Sequence, residues 1–240
     1  MSSTSRRYPS RRQVLASAGA TGVAAVAGVG SAAADSHDGR EFAVVRAAHF
    51  SPDAPNVDVY VGDHRILADV PFGAISGYTS LRPGRYRVRI TAAGAPDTVA
   101  FDDHLDLPAG EFTVAATGEL SEGTFEPLVL EDDAGRPGRG TTRVRVVHAA
   151  PDAPAVDVTA GDGTALFEGV AFGDSGGYAT VDAGEYDLAV RSASGGDPVA
   201  EVPATFESGT VYTAFVTGYL TPDDEPTDEA LALLLEADDQ

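Results

Sequence analysis

The segment Val45–Asp63, VRAAHFSPDAPNVDVYVGD, returns as Val144–Asp162, VRVVHAAPDAPAVDVTAGD, 99 residues further on. The shared frame is V-R-x-x-H-x-x-P-D-A-P-x-V-D-V-x-x-G-D. At an offset of 100, Phe72-Gly73, Gly77-Tyr78, Gly84, Tyr86, Asp97 and Thr117-Gly118 are matched by Phe172-Gly173, Gly177-Tyr178, Gly184, Tyr186, Asp197 and Thr217-Gly218. The tail LVLED at Leu128–Asp132 is echoed by LLLEA at Leu233–Ala237. A period near 100 is the size of a whole domain, well above the 20–50 residues of a solenoid repeat. The chain therefore holds one domain twice, at residues 41–133 and 143–237. Residues 134–142 (AGRPGRGTT) form a Gly/Pro/Arg linker, and 238–240 read as a short acidic tail.

Each copy has the pattern of β structure. Phe42–His49 is apolar and β-branched, and Val57–Val61 alternates as VDVYV. Arg85–Thr91 places Tyr86, Val88 and Ile90 on one face and Arg85, Arg87 and Arg89 on the other. In the second copy Tyr186, Leu188 and Val190 repeat the apolar set, while Glu185 and Asp187 replace the arginines. Period-2 alternation predicts antiparallel sheets with one face buried and one solvated. Further strands are expected at 65–70, 75–81, 98–107, 111–118 and 125–131, with 230–237 as a final strand. The expected fold is all-β: two tandem immunoglobulin-like or transthyretin-like antiparallel β-sandwiches.

Leu81–Ile90 has the form L-x-P-G-x-Y-x-V-x-I, a turn followed by a strand with an inward Tyr. Such an edge is also found in transthyretin-like and carboxypeptidase-regulatory-like sandwiches. The fuller pattern, H-x-x-P-D-A-P-x-V-D-V with F-G, G-Y and G-x-Y after it, resembles the family catalogued as domain of unknown function 4397. The resemblance runs twice along the chain. It implies an extracellular or envelope module of bacteria and archaea, with no established reaction.

The N-terminus reads as an address. Residues 5–12 (SRRYPSRR) precede Gln13, Val14 and Leu15, then a weakly apolar Ala/Gly/Val stretch to Gly30. Ala32, Ala33 and Ala34 before Asp35 supply the small residues of a cleavage site. The Arg11-Arg12 pair resembles a twin-arginine signal, so residues 1–34 are expected to be a signal peptide and 35–40 a short leader into the first domain. A membrane helix retained as an anchor is the alternative, and the mature chain has no stretch long enough to span a bilayer. The expected location is extracellular or cell-surface.

All 16 basic residues are Arg, against 37 acids, for a formal net charge of -21. Without residues 1–34 the balance is 12 Arg against 37 acids, or -25. This charge argues against nucleic acid and anionic membranes as partners. Acidity with no Lys resembles proteins of extreme halophiles, in which salt screens the self-repulsion; the Debye length is ~3 Å at 1 M. The chain has no Cys, which excludes disulfides, thiol nucleophiles and Cys-ligated metals.

The candidate site is the constellation His49, Asp53 and Asp58, repeated as His148, Asp152 and Asp157. A His with two Asp at a strand end could ligate a divalent cation, calcium being the one those carboxylates suit, or position a proton. In the structural alternative, which is favoured, Asp53 and Asp152 cap the Pro-Asp-Ala-Pro turn, the histidines pack, and Asp58 and Asp157 lie on a solvated face. No catalytic residue and no cofactor is assigned. The stripe Arg82, Arg85, Arg87 and Arg89 is read as a solvated face, with an anionic glycan or the acidic second domain as the partner it could hold. Three functional classes stay open: a non-catalytic envelope module contacting a protein or glycan, which is favoured; a calcium- or small-ligand-binding protein; and a hydrolase.

Overall fold

The structure, a computed structural model, describes residues 42–132 and 134–238. The expected signal peptide (1–34) and the segment 35–40 lie outside the described residues, as do residues 239 and 240 of the acidic tail. The first repeat contains β1 (Ala43–His49), β2 (Val57–Val61), β3 (His64–Val70), β4 (Thr79–Leu81), β5 (Gly84–Ala92), β6 (Ala95–Leu107), β7 (Gly110–Thr117) and β8 (Glu126–Glu131). The second contains β9 (Thr141–His148), β10 (Val156–Ala160), β11 (Ala165–Val170), β12 (Ser175–Asp182), β13 (Gly184–Ser192), β14 (Ala200–Phe206), β15 (Val211–Thr217) and β16 (Ala232–Asp238). Among the described residues no helix is long and apolar enough to cross a membrane.

Each repeat is a sandwich of two four-stranded sheets. We call β4-β1-β7-β8 and β12-β9-β15-β16 the inner sheets, and β3-β2-β5-β6 and β11-β10-β13-β14 the outer sheets. The all-β tandem architecture is the expected one. One feature departs from a purely antiparallel reading: β1 runs parallel to β7, from Ala43↔Gly110 to His49↔Ala116, and β9 runs parallel to β15. The chain crosses to the outer sheet and back between those strands, which supplies the long connection a parallel pair requires.

The turn into β5 follows the sequence pattern. Tyr86 faces inward and donates its hydroxyl to the Arg82 carbonyl at 2.5 Å, and Tyr186 repeats the contact with Asp182 at 2.9 Å. Behind Tyr86, the residues Val57, Val88 and Ile90 of the outer sheet pack on Ala116 of the inner one.

The expectation of one solvated face fails for the inner sheets. Every residue of β15 (VYTAFVT) is buried. Tyr212, Ala214 and Val216 face the core of their own sandwich. Phe215 points the other way, into a cluster with Ala48, Phe50, Ala115 and Leu130 of the first repeat and Val147 and Ala149 of the second. The Phe50 and Phe215 rings lie 4.7 Å apart across this seam. The inner sheets thus pack back to back, giving four layers in the order outer, inner, inner, outer. Burial on both faces explains why β15 carries no charged residue and shows no apolar–polar alternation.

Candidate functional site

The repeated motif is built into the backbone of its own repeat. His49 sits at the end of β1, 1% exposed, with Nε2 3.2 Å from the Pro55 carbonyl. His148 repeats this with Pro154 at 3.0 Å, and its Nδ1 accepts the Ala150 amide at 3.2 Å. Nδ1 of His49 has no hydrogen-bond partner. In both, the ring nitrogen that donates ties the strand end to the far side of the Pro-Asp-Ala-Pro loop. Burial pushes both imidazoles below their ordinary pKa, against the opposing pull of the bonded carbonyls, which keeps them neutral.

Asp53 and Asp152 do not cap the turn in which they stand. Asp53 accepts the amides of Leu120 and Ser121 at 2.9 and 2.8 Å, and Asp152 accepts those of Leu220 and Thr221, both at 2.8 Å. Each carboxylate therefore holds the loop that follows β7 or β15, 67–69 residues away in sequence. Burial works against the charge on Asp53, but the two amides outweigh it and the carboxyl is held below its usual range. The held loop opens at Gly118 (φ +77°) or Gly218 (φ +84°), where a Cβ would lie 2.2 Å from the Thr124 carbonyl or 2.5 Å from that of Ala230. Only glycine fits there, and the repeated Thr-Gly step is thereby explained.

Asp58 is also not on a solvated face. It is 1% exposed and accepts the Asp69 amide at 2.9 Å, the Gly94 amide at 3.2 Å and Arg65 at 3.1 Å. Asp157 is half-buried and accepts the Gly169 amide at 2.7 Å. The alternation rule fails at Asp58 because the loop after β5 folds over this position. Among the described residues no group of three His, Asp or Glu side chains stands together as a metal would require. The six candidates are separately engaged, each with its own backbone partner.

The densest polar cluster lies elsewhere, on the seam. In the first repeat Arg46 donates Nε to Thr113 Oγ1 at 2.8 Å, and its guanidinium lies 4.9 Å from the Tyr78 ring centre. Its other end bonds Asp238, the last residue of β16. In the second repeat Arg145 donates Nε to Thr213 Oγ1 at 2.8 Å, stacks on Tyr178 at 4.9 Å and bonds Asp132, which follows β8. Each arginine takes its carboxylate from the other repeat. Thr113 and Tyr78 donate to Asp132 at 2.7 and 2.8 Å, and Thr213 donates to Asp238 at 2.8 Å, so neither carboxylate depends on one partner. Burial opposes the charge on Arg46, yet Asp238, Tyr78 and Asp132 more than offset it and hold its pKa above the usual range. Asp238, read from sequence as tail, is a buried structural residue. The signal for this cluster was the repeated arginine in the middle of an apolar strand, Arg46 in β1 and Arg145 in β9, both 2% exposed.

Further bonds cross the seam: Arg145 also donates to the Glu131 carbonyl at 2.9 Å, Tyr219 to Glu119 at 2.9 Å and Thr227 to the Pro52 carbonyl at 3.0 Å. An open cavity of about 360 Å³ runs between β8 and β12, lined by Leu130, Glu131, Arg145, Ser175 and Tyr178.

The arginine stripe does not dock on the second repeat. It stands on the far side of the outer sheet, where Arg87 grips Asp102 through two bonds of 2.7 Å and Arg89 reaches the Pro96 carbonyl. The contact between repeats uses arginines, but they are Arg46 and Arg145.

No curated protein sequence matches this chain. Among solved structures, a chain titled "The Bacillus anthracis TIE protein" is similar at 10% identity and a TM-score of 0.25, over 75% of this chain and 34% of that one. This chain thus spans about a third of that protein, and the likeness is too low to carry an argument. The family described as "Domain of unknown function (DUF4397)" matches residues 43–159 and 159–240. These two segments span the repeated motif, the Tyr-anchored strands and both seam arginines, and the chain belongs to the DUF4397 family.

Proposed function

We propose that this chain is an exported, secreted or cell-surface module that makes protein or glycan contacts through its outer sheet faces and carries out no catalysis of its own. The observation behind this reading is the fate of the repeated motif. His49, Asp53, Asp58 and their counterparts each bond loop backbone, which makes the motif a device for building the sandwich. What the two sandwiches then present outward is sheet surface, with the inner sheets packed on each other between them. The N-terminal twin-arginine pattern and Ala32–Ala34 support export.

The test is fractionation of producing cells at molar salt. The chain is expected in the medium or on the envelope, beginning near Asp35, and Arg11→Lys/Arg12→Lys is expected to trap the precursor inside. Purified chain added to washed envelopes should be retained equally with and without a chelator. Cytoplasmic native chain would overturn the export reading, and release by chelator would put calcium binding in place of the contact role.

A further inference from the structure

We infer that the two outer sheet faces are complementary docking surfaces, and that the partner of the first repeat's face is the second repeat's face of another copy of this chain. The proposal rests on the reading of the outer sheets as contact surfaces and names their occupant.

Structurally equivalent strands carry opposite charge. On β5 the outward positions are Arg85, Arg87 and Arg89; on β13 the positions 100 residues later are Glu185, Asp187 and Ala189. Arg85, Arg87, Glu185 and Asp187 are exposed. In both strands the charges recur every second residue, about 7 Å apart, so the two rows match in spacing when the faces meet. Arg65 stands beside the basic row, opposite Tyr60 on β2, and Glu201 beside the acidic one, opposite Ala189.

The basic face is partly self-neutralised: Asp102 holds Arg87 and lies 4.0 Å from Arg89, and Asp58 holds Arg65. Arg85 lies across from Asp106 in register yet forms no ion pair with it, nor with any other described residue. Glu185, Asp187 and Glu201 likewise have no cation within ion-pair distance among the described residues; Arg191, on the same strand, turns to the Gly196 carbonyl at 2.9 Å. A chain of this acidity thus concentrates arginine on one outer face and leaves uncompensated carboxylates on the other.

Within one molecule the two faces cannot meet. The inner sheets occupy the centre, fixed by the buried Arg46–Asp238 and Arg145–Asp132 pairs, and the outer faces point away from each other. A contact between unlike faces is heterologous, and with the two faces pointing away from each other successive copies extend an open array rather than closing a small ring. Molar salt removes long-range attraction but screens ion pairs in contact much less once water is excluded between them.

The experiment is sedimentation of the purified chain at about 1 M salt over a series of protein concentrations. The native chain should form a ladder of species larger than the monomer. Arg85→Glu/Arg87→Glu, with two acidic faces, and Glu185→Arg/Asp187→Arg, with two basic faces, should each need roughly tenfold or more protein to assemble. Mixed one to one, the two variants should regain the native ladder, because each then offers the face the other lacks. The single exposed, unpaired Arg85→Glu gives the same direction with the Arg87–Asp102 bond intact, so a folding defect in the double variant does not blunt the test. A native chain that stays monomeric, or variants that assemble as the native chain does, would overturn the proposal. Failure to self-assemble together with retention on envelopes would sink this partner and leave the contact role standing.

Discussion

Arg46 and Asp238 stand 192 residues apart and form an ion pair in which both side chains are buried. The pair joins the first strand of one repeat to the last strand of the other, and Arg145 with Asp132 repeats it in the opposite sense. Removing one partner of such a pair leaves a buried charge without compensation, which costs about 3–5 kcal/mol. Arg46→Ala and Arg145→Ala are each expected to lose that much in chemical denaturation. Asp238→Ala should cost the same as Arg46→Ala, and the double variant little more than either, since the second change relieves the orphaned charge. Strictly additive losses would show that the two groups do not act as a pair.

Salt separates this clamp from the rest of the electrostatics. The exposed carboxylates repel one another, and screening relieves that repulsion, so stability should rise steeply from low salt to above about 1 M. The loss caused by Arg46→Ala should be nearly the same at both ends of that range, because a buried pair is screened much less than exposed charges. A melting temperature flat in salt would refute the first expectation, and a salt-dependent Arg46→Ala difference the second.

The strand pattern of the fold was legible because period-2 alternation and the repeat reinforced each other: each of the eight segments in the first copy holds a strand, although 75–81 is one only at Thr79–Leu81, and the final segment is β16 at Ala232–Asp238. The inner sheets were not legible in the same way. Alternation distinguishes apolar from polar, and in β15 both faces are buried, so Tyr212 and Phe215 face different cores and Thr213, though polar, stands on the buried seam side with Phe215 rather than on a solvated face. The motif was visible but its partners were not. Asp53 bonds a loop brought to it by the sandwich topology, and nothing local to Asp53 records Leu120 or Ser121. Asp58 looked solvated because its covering loop, at Gly94, is distant in sequence.

The anchoring role of Asp53 and Asp152 has its own test. Asp53→Ala frees the Leu120 and Ser121 amides and Asp152→Ala those of Leu220 and Thr221, at a cost of about 1–3 kcal/mol each. The losses should be identical in calcium and in chelator at fixed ionic strength. Calcium stabilisation of the native chain that disappears in the double variant would mean the carboxylates serve a cation instead.

Acidification should act first through the histidines. Burial lowers the folded pKa of His49 and His148 below the unfolded value, so the unfolded chain takes up protons first. Their contribution is full above about pH 6.5 and declines as the pH falls below that value. Asp53 and Asp58, with lowered folded pKa values, lose theirs only as the pH falls below about 4. Stability against pH should therefore fall in two steps. His49→Gln/His148→Gln should remove the upper step and leave the lower one; an unchanged upper step would assign it to other groups.

The seam also determines how the molecule unfolds. Ala48, Phe50, Ala115 and Leu130 of the first repeat share one buried cluster with Val147, Ala149 and Phe215 of the second, so each repeat buries part of the other's inner face. Two sandwiches joined only by a linker would melt independently, whereas sandwiches sharing a buried cluster and two buried ion pairs should melt together. Calorimetry of residues 35–240 at molar salt is expected to give one transition, with calorimetric and van't Hoff enthalpies in agreement. Phe50→Ala removes the ring packed at a tilt against Phe215 and should cost about 3–5 kcal/mol, with the transition broadening or splitting as the repeats uncouple. Two resolved transitions in the native chain would mean that the seam is too weak to couple the repeats, and Phe50→Ala would then destabilise only the first of them.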